Sequence, residues 1–449
     1  MKKTLTKNQQ INQVWIIISH GFNMDGRAAS LTVTDKIPFL IRRGIEPIIL
    51  SAITGKKDLR FAHYQLLPWG PSGLRFDFRH LVANQFGRGS LYKILTTLVS
   101  FLMLPFTTLE KLIFGLSSQW SWTFPAFFKA KKLIKKQKID AIYTSGGAWS
   151  AHYAGYLIHQ STGIKWLAEI HDPMVIRDDL YDKGLSPRMS RDARFLQKLE
   201  GLICRNADHV WWFTQGALDY AKFRHPELMD RGFVVFPGSE PVGCRSPLPK
   251  EHHYNRMLQI AHFGSLSNDR SIAPLLEAMR IFFQKYNQAK NHLRINIFGS
   301  GLDSSSKEAL DRLEMSAFVN LHGRIETNPI TGKSGREQVM ALMRSSDVLL
   351  MLHGNYEWCA EYIPSKLYDY FWANRPIWAI TNRNPNLDGI LKERGHYVSH
   401  TLENSSIVGT LEEIWGDWQS KQLIISQFDP ISPNHAVESI LDKINPQNN

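Results

Sequence analysis

The sequence predicts an α/β protein built as two successive parallel-sheet units, and three observations carry that reading. At 449 residues the chain exceeds what a single hydrophobic core usually organises. Short apolar runs of strand length alternate with helix-length segments in the first half and, after a break, begin again in the second. Between the halves lies PGSEPVGCRSPLPKEHH, Pro237 to His253, with the turn chemistry of an interdomain linker. The expected organisation is a first unit over residues 1–236, a linker at 237–253, a second unit over 254–425 and a helical tail at 426–449. That tail either closes the second unit or reaches back over the first.

The first unit is read from six runs. VWIIIS (14–19) follows a charged head but is too short for the apolar core of a signal peptide, so it reads as a first strand. EPIIL (46–50), IDAIYTS (139–145), IKWLAEI (164–170), HVWWF (209–213) and GFVVF (232–236) repeat its character, which suits strands buried on both faces. The alternation restarts with MLQIAHFG (257–264), LRINIFGS (293–300), FVNLHG (318–323), DVLLML (347–352) and RPIWAIT (375–381). LEEIWGDW and HAVESILDKI follow as helical patterns.

A composition of 43% hydrophobic and 21% charged residues is that of a folded protein. Cys204, Cys244 and Cys359 show neither CxxC pairing nor metal-ligand spacing, which points away from a disulfide framework or a zinc site and toward a reducing cytoplasm. The formal charge is +12, and six lysines crowd into FKAKKLIKKQK (128–138). Such a run faces anionic lipid, nucleic acid or only water. Residues 91–118 before it are apolar, but the uncharged part, Ile94 to Leu109, is shorter than the ~20 residues a spanning helix needs, and Pro105 interrupts it. Apolar segment, aromatics at Trp120, Trp122, Phe124, Phe127 and Phe128, and lysine run together suit a protein lying on an anionic leaflet through about residues 91–138. The competing account is a buried helix pair with a solvated back. Nucleic-acid binding would rest on the net charge alone, and no nucleic-acid partner is expected.

Open parallel sheets take ligands at the carboxyl ends of their strands, so the loops there carry the chemistry. Gly264 follows one strand, with Ser265 and Arg270 in the turn after it; Gly299 and Gly301 follow the next. Glycine lets backbone N–H groups approach an anion, and Arg supplies a forked, permanent cation. In EYIPSKLYDYFWANRP (361–376) Pro364 marks a helix start, whose free N–H groups and dipole favour an anion beside Ser365 and Lys366. Asp369, about one turn on, can accept hydrogen bonds from a vicinal diol such as a ribose, and Glu361 and Ile363 lie in the loop before the helix. An acid for a sugar, a helix start and lysine for a diphosphate, and an acid for a ribose stand in the order of a nucleotide-sugar. Alternatively, Glu361 and Asp369 are exposed helix-start acids, each contributing ~0.3–1 kcal/mol through the dipole.

The spacing Glu361-x7-Asp369, ending in NRP, resembles the E-x7-E motif and following AxGxP of retaining GT-B glycosyltransferases, particularly family 4. IPSKLYDYFWANRPIWAI is similar to the IPSKLYEYLAAGRPILA form of members that build bacterial surface polysaccharides. The resemblance covers roughly residues 14–395. It implies two Rossmann-like domains facing each other across a cleft. It also implies transfer of a sugar, with retention, from a nucleotide-diphosphate sugar to an acceptor hydroxyl on a lipid-linked or growing glycan. Neither cofactor nor metal is implied: Arg270 and Lys366 would carry the departing diphosphate, with the base near Gly323 and Arg324. A peripheral place on the cytoplasmic face of the inner membrane is implied too.

On the acceptor side the resemblance points to GFNMDGRA, with Gly21, Asn23 and Gly26; to TSGGAWSAH, with Gly146, Gly147 and His152; and to EIHDP, with His171 and Asp172. The chain departs from the family pattern in four places. Asp369 replaces a Glu, Ser265 a basic residue, Ser145-Gly146-Gly147 stand where many members have a histidine after the strand, and His171 replaces the Arg of DxRDPW. His152 is therefore either a donor or acceptor contact or a packed histidine, and Asp172 either orients or deprotonates the acceptor hydroxyl or caps a helix. A nucleotide-sugar epimerase or phosphorylase of the same fold is the alternative activity.

Overall fold

The computed structural model describes residues 13–24, 27–87, 89–175, 190–241, 257–299, 301–328, 330–356, 359, 362–382, 384–423 and 428–445. Two residues singled out above, Gly26 and Glu361, lie outside them, as do most of 237–253. The chain forms two compact units, Met1–Pro237 with Pro433–Asn449, and Gly238–Ser432.

The first unit runs β1 (Gln13–Ile18), α1 (Ala28–Thr34), α2 (Ile37–Arg42), β2 (Ile45–Ala52), β3 (Ala62–Leu66), α3 (Pro71–Phe86), α4 (Ser90–Ile113) and α5 (Thr123–Ile134). It continues with β4 (Ala141–Ser145), α6 (Trp149–Thr162), β5 (Lys165–Ile170), α7 (Arg191–Asn206), β6 (His209–Trp212), α8 (Gln215–Arg224) and β7 (Gly232–Val234). Its seven-stranded sheet has the order β3-β2-β1-β4-β5-β6-β7, with every pairing parallel. Alternation along β1 sends Ile16 and Ile18 to one face, with Trp122, Ala126 and Ile158, and Trp15 and Ile17 to the other. On that second face α15 (Pro433–Ile444) buries Ala436, Val437 and Ile440.

The second unit runs β8 (Leu258–Phe263), α9 (Ala273–Lys285), β9 (Leu293–Phe298), α10 (Ser304–Arg312), β10 (Val319–Gly323), α11 (Gly335–Ser345), β11 (Val348–Leu352), α12 (Lys366–Ala373), β12 (Ile377–Thr381), α13 (Pro385–Glu393), β13 (Tyr397–His400) and α14 (Asn404–Gln419). Its sheet, β10-β9-β8-β11-β12-β13, is again wholly parallel. Helices flank both faces, so each unit is Rossmann-like, as the run pattern predicts. β3 and β13 have no counterpart among the predicted strands. Both are edge strands, β3 with a single buried residue and β13 with buried and partly buried positions alternating, so neither carries the continuous apolar run of a central strand.

One element differs from its sequence reading. The apolar segment is not broken at Pro105: α4 is one 24-residue helix with Pro105 inside it, long and apolar enough by length and composition to cross a membrane. Proline removes one backbone donor from the ladder, a loss a long helix absorbs at the neighbouring turns. The helix is also amphipathic in an inverted sense. Thr96, Thr107 and Glu110 are its buried residues, while ten large apolar side chains from Leu91 to Ile113 are exposed, Phe101 at 72% and Leu112 at 70%. Glu110 binds the helix end to its unit, accepting from the Ser72 backbone N–H (2.7 Å) and from Trp120 Nε1 (2.6 Å).

A second oddity lies beneath α3. Asp77 is fully buried with neither carboxylate oxygen hydrogen-bonded, and His20 Nε2, equally orphaned, stands 3.7 Å from Oδ1. Burial drives Asp77 up to about 7 and, helped by the charge of His80, His20 down to about 3, so both are neutral over a wide range. An unfolded Asp ionises near ~3.9, so between roughly pH 4 and 7 the folded state holds a proton the unfolded state has lost, and stability falls as pH rises. His20 has the opposite sign, contributing stability above roughly pH 6.5 that is lost as pH falls toward 3. Asp77→Asn therefore should raise unfolding stability at pH 8 by roughly 1–4 kcal/mol and leave it almost unchanged at pH 4. Denaturant melts at the two pH values read this directly, and an equal effect at both would mean that Asp77 is ionised in the native protein.

Candidate functional site

In the second unit the sheet brings the glycine turns together at its carboxyl edge. Gly264 ends β8 at φ +133°, donates its N–H to Phe298 O (2.8 Å) and lies so close to the next loop that a Cβ on Gly299 would stand 2.0 Å from Gly264 O. A Cβ on Gly264 would itself lie 2.6 Å from Lys366 Nζ. Only glycine allows the lysine ammonium to rest against this backbone. Gly301, by contrast, faces open space.

Lys366 reaches that place because α12 is fastened to the sheet. Tyr370, one turn along, takes the Phe263 N–H on its hydroxyl (3.2 Å) and donates to Leu350 O (3.1 Å), tying the helix to β8 and β11 at once. The helix proper starts at Lys366, two residues after Pro364. Pro364 and Ser365 form a tighter lead-in turn, with Leu367 N donating to Pro364 O (2.9 Å) and Tyr368 N to Ser365 O (3.3 Å). No side chain caps this start. Ser365 is exposed, and Ile363 and Pro364 are half-buried.

Electrostatically the site is under-compensated. Lys366 retains some exposed surface, yet its ammonium is enclosed by protein; burial, and then the Arg270 guanidinium, pull it down to about 7. Among the described residues no carboxylate pairs with Lys366. Arg270, held in its turn by a backbone bond to Ser267 O (2.8 Å), is exposed, donates Nε to Ser267 Oγ (3.3 Å) and has Asp269 at 3.8 Å. Beneath them His262 is buried with Nδ1 against Leu350 O (3.1 Å) and Nε2 orphaned. Burial, then the charges of Lys366 and Arg270, hold it neutral. Two cations over a glycine backbone create a local positive potential of the kind that attracts anions.

Asp369, three residues after Lys366, is half-buried, and Arg336 Nη2 of α11 lies 3.3 Å from its Oδ1. Ser265 and Arg324 are exposed. Sequence reading passed over Tyr370, His262 and Arg336. Tyr370 carried a legible signal, since it stands at i+4 from Lys366 on the same helical stripe.

In the first unit the expected acceptor-side residues also sit at carboxyl ends. Gly21 follows β1, and Asn23, at φ +54°, is used by the backbone, taking Thr34 Oγ1 on its N–H (3.1 Å) and donating to Lys56 O (2.9 Å). Gly146 and Gly147 (φ +94°) turn the chain from β4 into α6, and a Cβ on Gly146 would lie 2.9 Å from His171 Cγ. His152 points into the core with Nδ1 beside Thr144 Oγ1 (2.9 Å) and Nε2 unpaired; burial takes it down to about 3, so it is neutral. Asp172 is exposed and follows His171 at the end of β5. Among the described residues no group of three or more His, Cys, Asp or Glu is arranged to hold a metal ion.

No family model matches the chain, and no curated relative matches it by sequence. Its backbone is similar to several solved structures. One is HepE of Anabaena in complex with UDP-glucose, at TM-score 0.52 and 12% identity over 96% of this chain and 94% of that one. Another is a mutant TarM of S. aureus in complex with fondaparinux, α-GlcNAc-glycerol and UDP, at TM-score 0.56 and 12% identity over 97% and 100%. A third is a putative UDP-N-acetylglucosamine 2-epimerase from Listeria monocytogenes, at TM-score 0.53 and 10% identity over 97% and 96%. Likeness at this identity concerns the fold: the two Rossmann-like units make this a GT-B-type protein.

The cation pair makes a definite demand. Lys366→Ala and Arg270→Ala are each expected to weaken nucleoside-diphosphate binding by roughly 1.5–3 kcal/mol, the range of a charge-assisted hydrogen bond. Because Lys366 titrates near 7, binding above that pH must first load it with a proton, so affinity falls as pH rises from 7 to 9. Calorimetry at pH 8 in buffers of different ionisation enthalpy should show proton uptake that Lys366→Ala abolishes; uptake persisting in that variant would assign the proton elsewhere.

Proposed function

We propose that this protein is a glycosyltransferase that moves a sugar from a nucleotide-diphosphate sugar to an acceptor hydroxyl with retention, on a lipid-linked or growing glycan of a bacterial cell surface. The observation that supports it best is the pair Lys366 and Arg270 over the Gly264 backbone, with no carboxylate on Lys366 among the described residues, at the edge where open α/β sheets take ligands. Negative charge grows on the diphosphate as its bond to the anomeric carbon breaks. Cations already fixed in place stabilise that charge with little reorganisation. Asp369 fits a ribose contact, its carboxylate held by Arg336, and Glu361 is assigned to the sugar. HepE and TarM, of the same fold, have been crystallised with UDP-glucose and UDP.

The acceptor assignment draws on α4. A helix that turns Thr96, Thr107 and Glu110 inward and most of its leucines and phenylalanines outward is suited to an apolar environment, and the lysines of α5 and the residues after it add charge suited to anionic headgroups. We accordingly assign the protein to the cytoplasmic face of a membrane as a peripheral enzyme. A soluble-substrate epimerase needs no such surface.

Thermal shifts with UDP, GDP, ADP and their sugars identify the donor, and turnover with that donor tests the chemistry. Glu361→Ala is expected to abolish transfer while the melting temperature and nucleotide-diphosphate affinity stay at parent values; unchanged turnover would remove Glu361 from the mechanism. Conversion of the donor to a new sugar isomer without any acceptor would replace the transferase by the epimerase. Exchanging Phe101, Leu102 and Leu109 for serine is expected to release the protein from anionic vesicles. Retention of binding by that variant would exclude α4 as the contact.

A further inference from the structure

The first unit contains a polar assembly that the proposed donor chemistry does not use. Glu169, the penultimate residue of β5, is wholly buried in the middle of the sheet. Five side chains converge on its carboxylate. Oε1 receives Ser145 Oγ (2.9 Å) and faces His171 Nε2 (2.9 Å); Oε2 receives Tyr143 OH (2.9 Å), Trp211 Nε1 (2.9 Å) and the Lys36 ammonium. Burial alone would push such a carboxyl up, but Lys36 and His171 outweigh it and hold Glu169 ionised far below the usual range.

That carboxylate dictates the state of His171. Ser145 Oγ, Glu169 Oε1 and His171 Nε2 stand 2.9 Å from one another, and an ionised oxygen can only accept. Nε2 must therefore carry the hydrogen, because a bare nitrogen would set two lone pairs against each other. The ring is fixed by Phe213 stacked at 4.9 Å and 22°, and by Gly146, whose missing side chain leaves it room. Nδ1 remains. Among the described residues it has no hydrogen-bond partner, and the side chain keeps 7% of its surface exposed. It lies at the carboxyl end of β5 beside the Gly146-Gly147 turn.

A buried ion pair of this kind is weak evidence of a stabilising role, since apolar residues of the same volume often serve as well. Its effect here is to fix one imidazole in one tautomer, the task second-layer carboxylates perform for working histidines. We propose that His171 Nδ1 accepts a hydrogen bond from a hydroxyl of the acceptor substrate, with Glu169, neutralised by Lys36, as the positioning residue that sets its tautomer and orientation. This rests on the transferase reading, and it assigns Glu169 and Lys36 a role in acceptor use.

Nitrogen-15 histidine spectra of the full-length protein, recorded without substrate, should show His171 as the Nε2–H tautomer, and Glu169→Gln should turn it into a mixture. In steady-state assays His171→Ala should raise the acceptor KM about tenfold or more, the loss of one hydrogen bond to a fixed group. Donor affinity should remain within about twofold of the parent, since no donor contact is removed. His171→Asn, whose amide oxygen can stand near the place of Nδ1, should recover part of the acceptor affinity. An Nδ1–H tautomer in the parent, or an unchanged acceptor KM in His171→Ala, would overturn the proposal. Absence of any nucleotide-sugar binding would instead overturn the transferase reading, and the tautomer, read without substrate, keeps the two failures apart.

Discussion

The second unit is organised around a cation that has no counter-charge among the described residues. Lys366 is enclosed above Gly264 with Arg270 as its nearest charged influence, an arrangement that disfavours its own protonation. Such a group persists only where the surrounding structure over-determines it. Tyr370 fixes α12 to two strands, Gly264 and Gly299 let two loops touch backbone to backbone, and His262 beneath stays neutral and adds no third charge. Each contact brings Lys366 to one spot and none neutralises it. On the proposed reading an anion would relieve that cost, which is how pre-organised sites acquire affinity without rearranging.

The first unit solves the opposite problem at the equivalent edge of its own sheet. Glu169 is surrounded by donors until every lone-pair direction is used, and its cation, Lys36, is as deeply buried as itself. A saturated charge binds nothing further, but it holds rigidly whatever shares its hydrogen bonds. One edge therefore leaves a cation without a paired carboxylate among the described residues, and the other uses a closed charge to hold an imidazole in place. Both rely on a glycine at the point of closest approach, Gly264 under Lys366 and Gly146 beside His171.

Much of this was legible because central parallel strands are buried on both faces and so write continuous apolar runs. Nine such runs correspond to the interior strands β1, β2, β4–β6, β8, β9, β11 and β12; the edge strands β7 and β10 were also legible as short apolar runs, whereas the edge strands β3 and β13 wrote mixed ones. The glycine turns and the lysine at the helix start could be read for the same reason: each residue type does a job that few others can. What could not be read were partners distant in sequence. Arg336 meets Asp369 from another helix, and Lys36 meets Glu169 across 133 positions. Glu169 alone left a trace, an acid inside the apolar run IKWLAEI, which is the kind of burial that demands a partner.

Helix α4 shows why pattern and placement must be read together. Its apolar stripe covers roughly 140° of the helix surface, enough to seat it on any protein core. Yet the buried side is the other one, where Thr96, Thr107 and Glu110 pack inward. Each exposed leucine or phenylalanine forgoes roughly 1.5–3 kcal/mol of burial, and ten of them represent a driving force larger than most whole domains have in reserve. Length and composition alone would also allow the helix to cross a bilayer. Crossing would require tearing Glu110 from the Ser72 N–H and the Trp120 indole and leaving a carboxylate in hydrocarbon. Lying in the plane of a leaflet keeps those bonds and covers the stripe, so the in-plane arrangement satisfies both faces of the helix at once.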